Sequence, residues 1–528
     1  MTGRQISGAF ETVVDLFRAG AIDNRDVEAY VEPSSSGSAR QALTFAEWER
    51  AADGVAALFT ERGVARGSVV CLLLPSSIDY MVCYAAALRL GAITSGINLR
   101  LGAEEQRSIL ARTAPAVTVV ENGAPRTSGA GSVVTRSEVV AARSRPPLGT
   151  AARLDPSDPV AVVWTSGTSG LPKGAVFDHR SLRAVADGTD ALSAPGDRRL
   201  SPLPFAHVGS MTRIWDELAK GITTVITPTP WKAGEAISVM ADERITVGQG
   251  VPTQWALVLA HPDVGRADLS SLRVAGTGAS RVPPELVAEM RARLGVPVVV
   301  RYTSTEASLG TGTSPGDPDQ AVATTVGRPV PGVSLEIVDD TGAPVAVGEV
   351  GRVRLRSPAA MVGYWGGPPM RAGAAGVVFD EAATAAVLSP DGWLTTGDFG
   401  RLDEEGRLHL AGRANELYIR GGYNVYPAEV ESVLTAHRRV EQAAVVGVPD
   451  PVLGEIGVAY VVVNDGPPLD SEELLGELRE LCHGTLADYK APDRVIVEPE
   501  LPLTSMMKVD KAALAEQVGH ETNGVRAS

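Results

Sequence analysis

Between residues 40 and 120 helical stretches alternate with short β-branched runs: Phe45 to Arg62, Val69 to Leu74, Tyr80 to Leu90, Val117 to Val120. This alternation constrains the fold most. Uninterrupted Val/Ile/Leu runs bury both faces of a strand, and parallel pairing of such strands needs a helical crossover between them. A second α/β stretch runs from Val160 to about Val300, with strands predicted at Val160 to Trp164, Thr223 to Thr227 and Leu272 to Ala275. Residues Asn122 to Thr150, rich in Gly, Ser, Arg and Pro, read as an exposed connection. From Gly327 to Trp365 short alternating strands with turn signals predict a small antiparallel, β-barrel-like unit, and Gly366 to Gly376 reads as a surface excursion. A hairpin turn follows at Arg401 to Gly406, and a boundary falls near Ala411 to Asn415. The expected fold class is therefore α/β: a large N-terminal domain of mixed α/β layers (residues 1–411) and a smaller α+β C-terminal domain (412–528).

Charge excludes some functions. With 48 Lys+Arg against 63 Asp+Glu, the net charge of −15 is wrong for a protein that grips a nucleic-acid backbone or an anionic membrane, so any phosphate must be held locally. Only six of the cations are lysines: Lys173, Lys220, Lys232, Lys490, Lys508 and Lys511. The three cysteines, Cys71, Cys83 and Cys482, form no CxxC pair and predict a reduced, cytoplasmic setting. Glu11 and Asp15 interrupt the apolar periodicity of Phe10, Val13, Val14, Leu16 and Phe17, so the start of the chain reads as an amphipathic helix and not a leader. Apolar runs such as Val69 to Leu74 and Val458 to Val463 fall far short of the roughly 18 residues a membrane span needs.

The most informative segment is Trp164-Thr165-Ser166-Gly167-Thr168-Ser169-Gly170-Leu171-Pro172-Lys173-Gly174. Its glycines, hydroxyls and single lysine, placed between a strand and the apolar run Ala175 to Phe177, can wrap N–H groups, hydroxyls and one cation around phosphate oxygens. It is not a Walker A loop, because Gly174 follows Lys173. Gly276-Thr277-Gly278 invites a dinucleotide reading that fails at Arg281, where a third glycine is required.

The loop resembles the signature loop of the adenylate-forming superfamily, which contains acyl-CoA and aryl-CoA synthetases, and the resemblance extends along nearly the whole chain in the family's order. Pro204-Phe205-Ala206-His207-Val208-Gly209 is similar to its Pro-x-x-His-x-x-Gly segment, and Tyr302-Thr303-Ser304-Thr305-Glu306 to its Tyr-Gly-x-Thr-Glu. Trp393 to Asp398, Gly412 to Glu429 and Pro502 to Lys508 match three more. The resemblance implies an acyl-CoA ligase that uses ATP, Mg2+ and coenzyme A to convert a carboxylic acid into acyl-AMP and then a thioester. It implies that Lys508 bridges carboxylate and α-phosphate, that Glu306 with Thr168 holds Mg2+, and that Thr165, Ser166, Gly167, Thr168, Ser169, Gly170 and Lys173 hold the β/γ-phosphates. Asp398 and Arg413 would contact the ribose, and Gly278, Ala279, Ser280, Tyr302, Thr303 and Thr305 would surround the nucleotide.

By the same resemblance the acyl pocket involves His207, Val208, Gly250, Gly276, Gly278 and Ser304, with His207 either a gate or a buried structural histidine. Pro204 to Thr212 holds no carboxylate to pair with a substrate ammonium, which disfavours α-amino acids and leaves a lipophilic acid. Gly250, Gly276, Gly278 and Gly310 either leave volume for a bulky acyl group or serve backbone turns. The C-terminal module resembles a mobile lid with its hinge at Asn415; Gly421-Gly422 either lets pantetheine pass or forms a plain tight turn.

Two positions depart from the family pattern. Thr303 stands where the family has glycine, so a β-branched side chain would reshape the backbone or narrow the pocket. Met507 stands where glycine precedes the catalytic lysine. Either the loop fails to deliver Lys508, costing about 10² to 10³ in adenylation rate and leaving an enzyme that consumes acyl-AMP from a separate adenylating enzyme, or the loop adjusts and both steps proceed. A carrier-protein thiol in place of CoA, and a nucleotide-binding pseudoenzyme, are the remaining alternatives.

Overall fold

The structure, a computed structural model, describes residues 2–35, 38–125, 129–148, 153–165, 172–279, 282–368, 377–414, 416–421, 423–464, 471–504 and 508–524. Two large sheets form the bulk of it. The first has eight strands in the order Val378–Phe379, Gly363–Gly367, Lys173–Asp178, Pro159–Thr165, Ile93–Gly96, Val69–Leu73, Val117–Val120, Ser132–Thr135, the last five running parallel. The second has nine: Arg328–Pro329, Thr311–Gly312, Val298–Tyr302, Val274–Gly278, Val247–Gln249, Arg198–Ser201, Thr223–Ile226, Glu28–Glu32 and Gln41–Thr44, with six parallel from Val298–Tyr302 to Glu28–Glu32. Both are the buried parallel sheets that the alternation of helices with β-branched runs predicts.

Helices Val13–Asp23, Phe45–Glu61 and Ile78–Arg89 contribute to one core that also takes residues from both sheets, such as Tyr30, Leu72 and Val163. Their starts are set locally. Thr12 accepts a hydrogen bond from the Asp15 N–H, and Thr44 and Glu47 form a capping box, which satisfies N–H groups that the first helical turn leaves open. The outer face of the nine-stranded sheet is covered by Ala233–Asp242, Pro252–Ala260 and Pro284–Leu294. Among the described residues no helix is long and apolar enough to cross a membrane.

Three local expectations differ from the structure. The stretch read as a connection, Asn122 to Thr150, contains the edge strand Ser132–Thr135 and the helix Arg136–Ala142; Val133 and Val134 pair with Thr118 and Val119, an apolar signal too short to stand out among glycines and serines. The barrel-like unit is an open four-stranded antiparallel sheet, Ser334–Val338, Gly351–Arg356, Leu394–Leu402 and Leu408–Arg413, and four strands are too few to close. Gly363–Gly367 does not belong to it but pairs with Lys173–Asp178 at the edge of the eight-stranded sheet. Of the hairpin turn predicted at Arg401 to Gly406, Arg401 and Leu402 are still strand, pairing with His409 and Leu408, and the turn beyond them joins Leu394–Leu402 to Leu408–Arg413.

Beyond Arg413 lies a five-stranded sheet built on Val440–Asp450 and Gly454–Val463, with the helices Pro427–Leu434, Ser471–His483 and Lys511–Gly524. It has two apolar clusters of its own, one around Tyr418, Val445 and Leu478 and another around Val446, Tyr460 and Leu514. The smaller C-terminal unit thus carries an independent core.

Candidate active site

Four parallel strands of the nine-stranded sheet end at one place. Tyr302, Gly278, Gln249 and Ser201 are their last residues, and all four line a cavity of about 180 Å³. Parallel sheets bind ligands outside the carboxyl ends of their strands, where side chains and the following loops converge. His207, Val208, Gly250, Gly276, Gly278, Ala279, Tyr302, Thr303 and Gly310 line the same cavity.

At its outer end the Tyr302 hydroxyl donates to Asp398 Oδ2 at 2.6 Å, and Arg413 Nε donates to Asp398 Oδ1 at 3.0 Å. The Asp398–Arg413 pair follows from register, because the two residues sit opposite each other on Leu394–Leu402 and Leu408–Arg413. Burial, reinforced by the Asp398 charge, raises the Tyr302 phenol and keeps it a donor. Lys508 reaches the same place from the C-terminal unit. Burial lowers its ammonium pKa, Arg413 lowers it further, and Asp398 opposes both. The Leu503–Val509 bridge and the bond from Thr504 N–H to the Lys508 carbonyl hold its backbone. Among the described residues its Nζ has no hydrogen-bond or ion-pair partner.

His207 caps the short helix Val208–Met211, and its Nδ1 accepts the Gly209 N–H at 3.2 Å. Burial lowers its pKa to about 4, helped by the Lys508 charge. The ring is therefore neutral at pH 7, with its proton on Nε2. Thr303 fits without strain: its φ is ordinary, and its hydroxyl donates to the Ser308 carbonyl at 2.7 Å, turning the extra side chain into a tie across the loop.

Glu306 belongs to a second group. Its Oε1 accepts the Tyr364 hydroxyl at 2.7 Å, and Lys173 Nζ lies 5.4 Å from the centre of the Tyr364 ring. Thr165 and Lys173, which bracket the expected phosphate loop in sequence, pair directly across the hairpin formed by Pro159–Thr165 and Lys173–Asp178. Thr305, half-buried, adjoins Glu306. Among the described residues no group of three or more His, Cys, Asp or Glu is arranged so that it could hold a metal ion. One carboxylate is still a fitting protein donor for Mg2+, which takes one or two carboxylates together with substrate phosphates and water.

Ser304 was expected in the acyl pocket but does not line the cavity; its Oγ turns back to accept the Ala307 N–H at 3.1 Å. Of the four glycines read as volume or turn, Gly278 and Gly310 serve the backbone, because a Cβ would collide with the carbonyl oxygens of Arg301 and Tyr302. At Gly276 a Cβ would press on Leu192, and at Gly250 on Trp255. Gly421, with φ +58°, lies between the paired strands Tyr418–Arg420 and Tyr423–Val425. Ser166, Gly167, Thr168, Ser169, Gly170, Ser280, Asn415, Gly422 and Met507 lie outside the described residues.

Sequence reasoning missed Tyr364 and a polar cluster behind the inner end of the cavity. Asp216 accepts from Arg199 at 2.7 Å, Arg213 at 2.6 Å and Ser193 at 2.9 Å. Glu217 accepts from Tyr30 and Thr224 and lies 3.5 Å from Arg199. Burial alone would raise the Asp216 carboxyl, yet Arg213, Arg199 and Lys220 pull it well below its usual range; Glu217 is raised, because burial there outweighs Arg199. The only hint in sequence was the density of charge from Arg213 to Lys220 on a helix that also had to bury Ile214, Trp215 and Leu218.

Comparison with known proteins agrees with this geometry. Residues 17–365 match the AMP-binding enzyme family and residues 429–508 the AMP-binding enzyme C-terminal domain. The indoleacetate–CoA ligase of Aromatoleum aromaticum is 34% identical over 500 residues, 91% of this chain and 94% of that protein. A feruloyl-CoA synthase of an Amycolatopsis species is 35% identical over 490 residues, 90% and 94% of the two. The ATP-bound crystal structure of MatB from Rhodopseudomonas palustris superposes with a TM-score of 0.84 at 26% identity, covering 96% of this chain and 98% of that one. A chain that matches along both of its units in this way belongs to the adenylate-forming superfamily of AMP-binding enzymes, in its acyl-CoA ligase branch.

Proposed function

We propose that the protein is a cytoplasmic ligase that activates a bulky, largely apolar carboxylic acid as acyl-AMP and transfers the acyl group to coenzyme A, performing both half-reactions. One observation carries the complete reaction: Lys508, from the C-terminal unit, lies close enough to Asp398, Arg413 and the neutral His207 for its charge to be felt there, with its ammonium unpaired among the described residues. A half-buried cation with no partner among the described residues suits an α-phosphate and a carboxylate arriving together. The relatives named for indoleacetate and ferulate support an aryl or similarly bulky acid.

Roles follow from the geometry. Asp398 spends one acceptor site on Tyr302 and one on Arg413, and an ionised carboxylate has about four, so each oxygen keeps one for a ribose hydroxyl. Glu306, held by Tyr364, would take Mg2+ with Thr168; the ion, when bound, neutralises phosphate charge. Lys173 and the loop from Thr165 to Gly170 would hold the β/γ-phosphates. As the acid's oxygen bonds to the α-phosphorus and the bond to pyrophosphate breaks, Lys508 stabilises the charge on both. Neutral His207 donates Nε2–H toward the cavity and adds no second charge beside Lys508. In the second step the CoA sulfur bonds to the acyl carbon, the bond to AMP breaks and the thiol proton is released.

The division into residues 1–411 and 412–528, with a hinge at Asn415, is part of this reading. Ala414 N–H bonds to the Gly397 carbonyl on one side of that position, and Glu416 pairs with Lys511 of the C-terminal unit on the other. Gly421-Gly422 is the proposed pantetheine passage. Glu217 is not free for a substrate ammonium, being bonded to Tyr30 and Thr224 beside Arg199, which keeps α-amino acids disfavoured.

The test compares two feeds: free arylalkanoic acids with ATP, and the corresponding acyl-AMP, each with CoA and, in parallel, with a purified carrier protein. Thioester from both feeds with CoA is expected. Product from acyl-AMP alone would leave only the second half-reaction, and product with the carrier protein alone would replace CoA as acceptor.

A further inference from the structure

Lys508 sits on a short excursion of the chain whose base is closed by the Leu503–Val509 bridge and by the bond from the Asp510 N–H to the Pro502 carbonyl. That base rests on the C-terminal sheet through Leu501, Val509 and Leu514, which pack with Val446 and Tyr460. Apolar burial is non-directional, so these contacts keep the excursion on the sheet without fixing the angle at which it leaves. A group that must meet developing charge needs that angle, because a misplacement of about 1 Å can cost 10²-fold in rate.

The residue that follows the base supplies direction. Lys511 opens the helix Lys511–Gly524, three positions beyond Lys508 and so within about 10 Å of it along the chain. Its Nζ lies 2.7 Å from Glu416 Oε2 and 2.7 Å from Glu431 Oε1. Burial alone would lower the Lys511 ammonium, yet Glu431 and Glu416 together carry it above its usual value, so it stays charged. The two carboxylates belong to different segments. Glu431 Oε1 also accepts the Val445 N–H at 2.8 Å, which fixes it to the strand Val440–Asp450. Glu416 stands just past the proposed hinge, and its N–H donates to the Arg413 carbonyl at 3.1 Å. Against burial, the charges of Asp398 and then Glu416 raise the Arg413 guanidinium, so Glu416 is felt at the nucleotide end of the cavity as well. Charges of alternating sign therefore lead from the base of the excursion to the carboxylate assigned to the ribose: Lys511, Glu416, Arg413, Asp398.

We propose that Lys511 is a positioning residue for Lys508: shared between Glu431 and Glu416, it locks the excursion both to the C-terminal sheet and to the segment beyond the hinge, and so sets the Lys508 ammonium against Asp398 and Arg413. An ion pair that merely pinned the last helix to its sheet would need Glu431 alone. Glu416 ties that helix instead to the segment that bonds Arg413. The inference rests on the acyl-CoA ligase reading and goes beyond it, since Lys511 is given no contact with substrate.

The experiment has one arm without substrate and one with it, both on the full chain. In the first, formaldehyde and borohydride methylate the six lysines and mass spectrometry reads the rate at each. In Lys511→Met the half-buried Lys508 should react several-fold faster, while Lys490, paired with Glu429 in the same unit, keeps its rate. In the second arm, 3-phenylpropanoic acid with ATP gives the adenylation rate by pyrophosphate release, and its preformed adenylate with CoA gives the thioester rate. Lys511→Met should lower kcat for adenylation about 10- to 100-fold with the KM for ATP unchanged, since a misplaced transition-state contact acts on kcat, and thioester formation should stay near the wild-type rate. Glu416→Gln leaves Lys511 with Glu431 and should slow adenylation several-fold at an unchanged urea midpoint. Lys511→Arg, whose planar fork can serve both carboxylates, should restore most of the rate. Faster labelling of Lys490 together with Lys508, or equal losses in the two half-reactions, makes Lys511 structural and overturns the positioning role. Unchanged Lys508 labelling in Lys511→Met, or unchanged adenylation, overturns it too. A wild type that releases no pyrophosphate with any arylalkanoic acid, while the labelling behaves as expected, overturns the ligase reading and leaves the tether standing.

Discussion

Asp398 and Asp216 are both aspartates bonded to arginine, one behind each end of the same cavity, and they differ in what remains unused. Asp398 accepts from Tyr302 and Arg413, and the side chain of Arg413 is 52% exposed. Asp216, fully buried, accepts from Arg199, Arg213, Ser193 and Thr189, with Lys220 Nζ 3.5 Å away. The outer carboxylate has capacity left for a ligand and a partner that solvent screens. The inner one is saturated, and its work is to fix the arginine that faces the cavity. One pair of residue types serves binding at one end and wall-building at the other, according to burial.

The largest effect should break the inner pair. Asp216→Ala leaves Arg199 and Arg213 buried without their shared acceptor, and removing one partner of such a cluster costs about 3–5 kcal/mol. A urea unfolding midpoint reads it. Asp398→Asn, which keeps an acceptor beside a screened arginine, should change stability by about 1 kcal/mol or less while weakening nucleotide binding. Equal losses at the two positions would erase the contrast.

The same contrast governs what could be read from the chain. The outer end was legible through its resemblance to the family's motifs, which single out Tyr302, Asp398, Arg413 and Lys508; the structure adds that Tyr302 ends a strand and that Asp398 sits opposite Arg413. The inner end was not. In sequence a buried charge looks the same as a solvated one, and the helix Ile214–Lys220 reads as ordinary amphipathic surface although Asp216 and Glu217 are both buried. Tyr364 escaped for another reason: its strand joins a sheet whose partner strand, Lys173–Asp178, lies nearly two hundred residues earlier. The alternation of helices and β-branched runs foretold both parallel sheets, while the short edge strand Ser132–Thr135 fell below what periodicity detects.

Lys508→Met tests the outer end on its own terms. Because its ammonium has no partner among the described residues, losing it should leave the unfolding midpoint nearly unchanged. Adenylation should fall by about 10² to 10³, as for removal of one charge-stabilising donor, with thioester formation from acyl-AMP retained. Destabilisation comparable with that of Asp216→Ala would mean that Lys508 is structural, and the two ends would no longer differ in kind.

The smallest effect lies between the ends, in the titration of His207. Its pKa of about 4 has two causes, burial first and the Lys508 charge second, whereas His179, also at about 4, is lowered by burial alone, against nearby aspartates that would raise it. Both lie below the ordinary value of about 6.5, so between those pH values the unfolded chain binds protons that the folded one refuses. The stabilisation each neutral ring supplies is complete above about 6.5 and is lost as the pH falls through 4. In Lys508→Met the His207 midpoint, followed by the NMR shift of its Cε1 proton, should rise but stay below 6.5, because burial persists. The His179 midpoint should not move, since the causes of its shift do not include Lys508. A His207 midpoint that reaches 6.5 would make the lysine the main cause, and one that stays still would remove Lys508 from the neighbourhood of the acyl cavity, separating the two ends that the proposed first half-reaction requires to meet.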